Sequence, residues 1–180
     1  MHASKQWYKV LIPILLITSC NIKTMYEVNA FEKKSLAMPD SLLVVKPNGI
    51  TRSKVQTDRK QLIVYIKSTE CTACKISSLT KLEDLYDYSQ DNGMFDLLVL
   101  FCTDSTFIDT VTPLISNASI PFPVYFDVSG YFESQNKLPT DNKYNMFLID
   151  ESRKPIYVGN PLASKKLNYL FESVLNNKTK

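Results

Sequence analysis

Histidine is nearly absent: the chain has one, His2, in a sequence of 180 residues. With no second Cys-x-x-Cys either, a four-ligand structural zinc site has too few donors. Only four glycines are present, and no Gly-rich phosphate loop is formed from them. The longest early apolar run, Val10–Ile17, is far short of the roughly 20 residues that a membrane-spanning helix needs. Net charge is +3, with Lys and Arg scattered, so no basic surface for nucleic acid is indicated. There is no acidic run and no internal repeat. With 44% hydrophobic and 11% aromatic residues, the composition excludes a disordered chain.

What is present begins with an address. Residues 1–9 carry Lys5 and Lys9 and no acid, Val10–Ile17 is apolar, and Ile17-Thr18-Ser19-Cys20 follows. A charged start, a short apolar stretch and small residues before a cut are the parts of a secretory signal. The Ile-Thr-Ser-Cys ending resembles the bacterial lipobox, which implies cleavage after residue 19 and a lipid on Cys20. An ordinary signal peptide with an incidental cysteine, or a short uncleaved anchor, is the alternative. With Asn21 after the cysteine and no acidic run, the expected location is a membrane surface facing the periplasm. Removing residues 1–19 leaves about 160 residues, one domain of common size.

Residues 20–40 are mixed and polar and read as a tether; residues 41–180 read as the domain. Ser41–Lys46 reads as a first edge strand stopped by Pro47-Asn48-Gly49, and Ile50–Lys60 as a loop or short extra strand. Leu62–Ile66 (LIVYI) suits a central strand buried on both faces. Cys71 and Cys74 come next, and then a helix with Ile76, Leu79, Leu82, Leu85 and Tyr86 on one face, closed by Asp91-Asn92-Gly93. Phe95–Cys102 is a second buried strand. Asp104 or Ser105 caps a helix with Phe107, Ile108, Val111, Leu114 and Ile115 on its face, which Pro113 should kink or divide. Phe122–Phe126 is a short extended piece, and Ser129–Leu138 is ambiguous between helix turn and loop. Tyr144–Ile149 and Pro155–Val158 form a hairpin around Asp150-Glu151-Ser152-Arg153. Leu167, Leu170, Phe171, Val174 and Leu175 make one face of a last helix.

The chemistry sits at Leu62–Leu85. Cys71 falls where a strand gives way to a helix, and there free N–H groups and the helix dipole favour a thiolate. Cys74, one turn on, can close a disulfide with it, giving a redox site in outline. Two other readings stand beside it. A structural disulfide is disfavoured because a two-residue loop gains almost the least stabilisation from closure. Half of a zinc site lacks partners. Cys102, at the end of an apolar strand, reads as an inert core thiol.

The order of these elements, together with Leu62–Lys75, Phe147-Leu148-Ile149-Asp150 and Lys154–Pro161, resembles anchored thioredoxin-like proteins of the TlpA type, found in lipoproteins of Bacteroidetes. That resemblance implies an α/β, thioredoxin-like fold with a central mixed β-sheet flanked by helices. It also implies dithiol–disulfide exchange with exported protein thiols, Cys71 attacking and Cys74 resolving, a redox partner that resets the pair, and no cofactor. Two departures from the pattern appear. The family places a cis-proline before the Phe-Leu-Ile-Asp strand, on the loop that pairs with a client's backbone; this chain has Tyr144 there and its nearest proline is Pro139, the two substrate-loop candidates. Thr72-Ala73 also replaces the usual Gly-Pro, and Glu70 stands where an aromatic is typical. Its carboxylate raises the pKa of Cys71 while Lys67 and Lys75 lower it. Two further readings stay open. One is a peroxidase, with Ser68 three residues before Cys71 but Val64 where that motif has proline. The other is a redox-inactive adaptor on the same fold.

Overall fold

In the computed structural model, which describes residues 22–46, 49–55 and 58–176, the two long apolar runs lie side by side at the centre of a sheet. β3 (Lys60–Ile66) pairs in parallel with β4 (Phe95–Cys102), and β4 pairs in parallel with β5 (Val124–Asp127). Antiparallel to β3 runs β6 (Met146–Ile149), which pairs with β7 (Pro155–Val158). On the other flank β1 (Ser41–Lys46) pairs with β5 and with β2 (Gly49–Lys54), antiparallel to both. The seven strands stand in the order β2-β1-β5-β4-β3-β6-β7. Ser41–Lys46 is therefore an interior strand, and the edge belongs to β2, which Ile50–Lys60 left open as loop or strand.

Period-two alternation explains why the central strands read as unbroken apolar runs. Leu62, Ile66, Leu97, Val99 and Phe101 point to one face; Ile63, Tyr65, Leu98, Leu100 and Cys102 point to the other. The first face is covered by α2 (Thr72–Ser78), α3 (Glu83–Asn92), α4 (Ile108–Asn117) and α6 (Lys165–Asn176), through Ile76, Leu85, Val111 and Phe171 among others. Residues 22–32 form α1, and with α5 (Tyr131–Gln135) this helix covers the second face through Phe31 and Phe132.

The tether expectation fails for residues 31–38. Phe31, Leu36 and Met38 are 3–5% exposed, and Phe31 meets Phe147 edge-on at 4.9 Å. The backbone is tied down too: Leu36 N–H donates to Arg153 O at 2.9 Å, and Ala37 and Asn136 exchange two hydrogen bonds of 2.9 Å. Three apolar residues scattered in a polar stretch carry no periodic signal, which is why they read as linker. The leader, Cys20 and Pro47-Asn48 lie outside the described residues.

Other elements differ in detail. The helix predicted across Ile76–Tyr86 is broken by a 3₁₀ turn, Leu79–Leu82, before α3 begins; Gly93, left-handed at φ 62°, ends α3 as expected. Asp104 caps the next segment by accepting from Thr106 N–H at 2.9 Å. α4 runs through Pro113 undivided. Proline sits on its solvent side, and Thr112 and Ser116 bond back to carbonyls one turn earlier at 2.8 and 3.0 Å. Ser129–Leu138 resolves into α5, fastened by Asp127, whose carboxylate accepts from Phe132 N–H at 2.6 Å and Ser129 Oγ at 2.7 Å. The hairpin turn is held by Asp150, which accepts from Ser152 N–H and Lys154 N–H at 2.9 Å each.

Candidate functional site

β3 ends at Ile66, and Lys67–Glu70 form the turn that follows. Two bonds between the same residues close it: Glu70 N–H donates to Lys67 O at 3.0 Å, and Lys67 N–H donates to Glu70 Oε1 at 3.2 Å. Cys71 then takes the N-cap position of α2, extended at φ −67°, ψ 102°, with its sulfur accepting from Cys74 N–H at 3.4 Å. The two cysteines are joined as a disulfide, Cα to Cα 5.4 Å, and both residues are exposed. A sulfur in that position receives backbone N–H groups and the positive end of the dipole, which stabilise it as the thiolate once the bond is reduced. The pair is therefore accessible and placed at the carboxyl end of a central parallel strand, where open α/β sheets offer their sites.

Charge around the pair is arranged rather than free. Glu70 Oε2 pairs with Lys75 Nζ at 2.5 Å, bridging from just before Cys71 to just after Cys74. The Glu70 side chain is only 9% exposed and also accepts from Asn145 Nδ2 at 3.3 Å. The Lys67 ammonium is taken up by backbone, donating to Pro139 O at 3.0 Å and Thr140 O at 3.1 Å. Of the two lysines weighed against Glu70, one is thus its direct partner and the other props a neighbouring loop.

Beside the pair, between α2 and the start of β6, lies a groove of about 440 Å³. Glu70, Lys75, Lys81, Asn142, Lys143, Asn145 and Asn160 line it, over a floor of Val64, Ile66, Leu79 and Met146. Asn145 is 7% exposed, and its Oδ1 is buried without a hydrogen-bond partner among the described residues. An unsatisfied buried acceptor at the wall of a groove is a place for a donor to dock. Sequence reasoning missed Asn145. Seventy-five residues separate it from Glu70, and an asparagine before a strand carries no local signal beyond turn propensity.

Of the two substrate-loop candidates, Pro139 is buried and offers its carbonyl to Lys67. Every described peptide bond is trans, that before Pro139 included. Tyr144 closes the 3₁₀ turn Asn142–Tyr144 that leads into β6, half-buried, with Lys143 Nζ 4.9 Å from its ring centre. The residue after it, Asn145, gives its carbonyl to Tyr65 N–H at 2.8 Å, so this loop is stitched onto β3 beside the site. Cys102 is 8% exposed on the second face, and burial pushes its thiol up. Ser68 is exposed in the turn. Among the described residues no group of His, Cys, Asp and Glu side chains could hold a metal, and no helix is long and apolar enough to cross a membrane.

No protein-family model and no curated protein matches the sequence. Solved structures do match in shape. A candidate thioredoxin from Neisseria meningitidis superposes with TM-score 0.54 at 18% identity, over 81% of this chain and 94% of that one. A candidate protein disulfide isomerase from Bacteroides thetaiotaomicron gives 0.52 at 14%, over 78% and 87%. A candidate thiol:disulfide interchange protein DsbE from Chlorobium tepidum gives 0.50 at 15%, over 79% and 99%. The mixed sheet flanked by helices, with its Cys71–Cys74 pair after a central strand, is a thioredoxin-like fold.

Proposed function

We propose that this chain is a thiol–disulfide oxidoreductase of the bacterial envelope, anchored by a lipid on Cys20 and acting on exported protein thiols through Cys71 and Cys74. One observation carries the reading: an exposed Cys-x-x-Cys disulfide at a helix N-terminus, beside a groove with an unsatisfied acceptor. In the reducing direction, the Cys71 thiolate attacks one sulfur of a client disulfide and expels the other as a thiolate. Cys74, losing its proton, attacks Cys71 Sγ of the mixed disulfide and releases the second client thiolate. Two electrons and two protons pass to the client, and the protein is left with the Cys71–Cys74 disulfide. A redox partner of the envelope, itself a dithiol, returns it to the reduced state. The same steps in reverse oxidise a client dithiol.

Asn145 Oδ1 serves the same cycle by accepting a client N–H during the mixed-disulfide stage, and the lysines around it hold client carbonyls or carboxylates. An equilibrium redox titration of the mature chain tests the reading, following Cys71 and Cys74 by alkylation and mass. A reversible two-electron transition between about −270 and −120 mV supports exchange chemistry, the lower end marking a reductant. A pair that stays oxidised well below about −300 mV is structural and leaves the adaptor reading in its place.

A further inference from the structure

The first turns of α1 carry an apolar stripe that nothing in the described domain covers. Ile22, Met25 and Tyr26, spaced at three and four, are 67%, 64% and 74% exposed, and Lys23 stands beside them, its side chain 77% exposed and its Nζ 3.9 Å from Glu27 Oε1. The opposite side of the same helix is the one that docks, through Phe31. Residues at such spacing share one helix face, so the stripe is a coherent surface rather than scattered exposure. In sequence it begins two residues after Cys20.

The same helix is fastened to the active-site rim. Glu27 accepts from Thr140 N–H at 3.0 Å and Thr140 Oγ1 at 2.5 Å, and Lys67 Nζ reaches Thr140 O at 3.1 Å. Lys67 opens the turn that ends at Cys71. From Glu27 back to Ile22 is about 8 Å of helix, and from Lys67 to Cys71 at most about 14 Å of chain. The stripe and the cysteine pair are thus tied to one loop, the stripe through Glu27 and the pair through Lys67.

We propose that Ile22, Met25 and Tyr26 lie in the lipid headgroup layer, with Lys23 toward anionic phosphates, and so fix how the domain stands on the membrane. This rests on the reading of Cys20 as acylated. A lipid on the N-terminus holds the chain at the membrane without fixing how it is turned, and an amphipathic helix face beside that lipid sets the orientation. A lipid surface fits better than a protein groove because the stripe adjoins the anchor and pairs apolar side chains with a lysine.

The test uses the mature chain recovered from membranes. Trp7, in the leader, is the one tryptophan of the sequence, so Tyr26→Trp supplies the sole indole after processing. Tyr169→Trp is the comparison, on an equally exposed position of α6 across the sheet. Each variant is placed in phosphatidylethanolamine–phosphatidylglycerol vesicles with and without brominated acyl chains. Emission of the Tyr26→Trp variant should shift to the blue and be mostly lost to bromine, while that of the Tyr169→Trp variant is not quenched. Solvent-like, unquenched emission from vesicle-bound Tyr26→Trp protein overturns the inference and leaves the lipid anchor intact. Blue-shifted emission from the same variant that bromine does not quench also overturns it, placing the stripe against a second copy. Mass of the mature N-terminus reports separately on the anchor, and an unmodified Cys20 overturns both.

Discussion

Glu70 and Lys75 clasp each other across the disulfide, Oε2 to Nζ at 2.5 Å, with both cysteines between them in sequence. The carboxylate sits on the side of Cys71, and its partner cation is drawn to it rather than to the sulfur. Neutralising the acid should therefore help the thiolate twice, by removing a negative charge and by releasing Lys75. In Glu70→Gln the pH midpoint of Cys71 alkylation, measured on reduced protein, should fall. Lys75→Gln should move it upward. Equal midpoints in all three proteins would mean that the pair does not set Cys71 reactivity.

Cys74→Ser should accumulate mixed disulfides between Cys71 and exported proteins, visible as adducts that vanish on reduction. Cys71→Ser should give none, because the resolving thiol does not open the exchange. Absence of adducts from the first variant, in cells actively exporting protein, contradicts the oxidoreductase proposal.

Asn145 offers a separate handle on client binding. Removing one hydrogen-bond acceptor is worth about 1 kcal/mol, or roughly fivefold in rate. Asn145→Ala should slow exchange with a folded protein disulfide by about that factor relative to a small disulfide reagent. An unchanged ratio assigns Asn145 a structural part only.

Phe31→Ala tests whether residues 31–38 belong to the domain. Phe31 is 3% exposed and packs against Phe147. Truncating a buried phenylalanine costs about 3–5 kcal/mol, which urea unfolding of the mature chain reads directly. A tether residue would leave the midpoint unmoved.

Alkaline stability follows from buried phenols. Burial pushes Tyr157 up to about 12 and Tyr65 well above the ordinary tyrosine value, where Cys102 and Glu133 add to it. A phenol whose folded pKa is raised holds its proton more tightly when folded, so its contribution is complete below the unfolded value near 10 and fades as pH rises above it. Stability should be flat through neutral pH and decline above about pH 10, with tyrosinate absorbance lagging behind that of unfolded chain. Tyr157→Phe, which also loses the bond to Leu167 O, should shallow that decline.

Much of this fold was readable in advance for a simple reason: Leu62–Ile66 and Phe95–Cys102 are continuous apolar runs because both faces of their sheet are covered, and no other context suits them. Gly93 and Asp104 punctuate helices by local chemistry that needs no tertiary context. The cysteine pair announces itself by spacing. What escaped depends on distance. Phe31 and Leu36 are apolar singletons whose partners lie about a hundred residues on, and Asn145 joins the site only because β6 runs antiparallel to β3. β1 looked like an edge since nothing in SLLVVK says whether one strand or two will pair with it; the answer lay in GITRSK, whose exposed, basic character gives it little strand signal.

That outer strand has a use. β2 shows Thr51, Arg52 and Lys54 to solvent, and the far edge, β7, starts with Pro155 and runs only four residues. Charge on one border and proline with brevity on the other deny each a matching neighbour. Wherever two copies meet side by side, such borders keep one sheet from running on into the next.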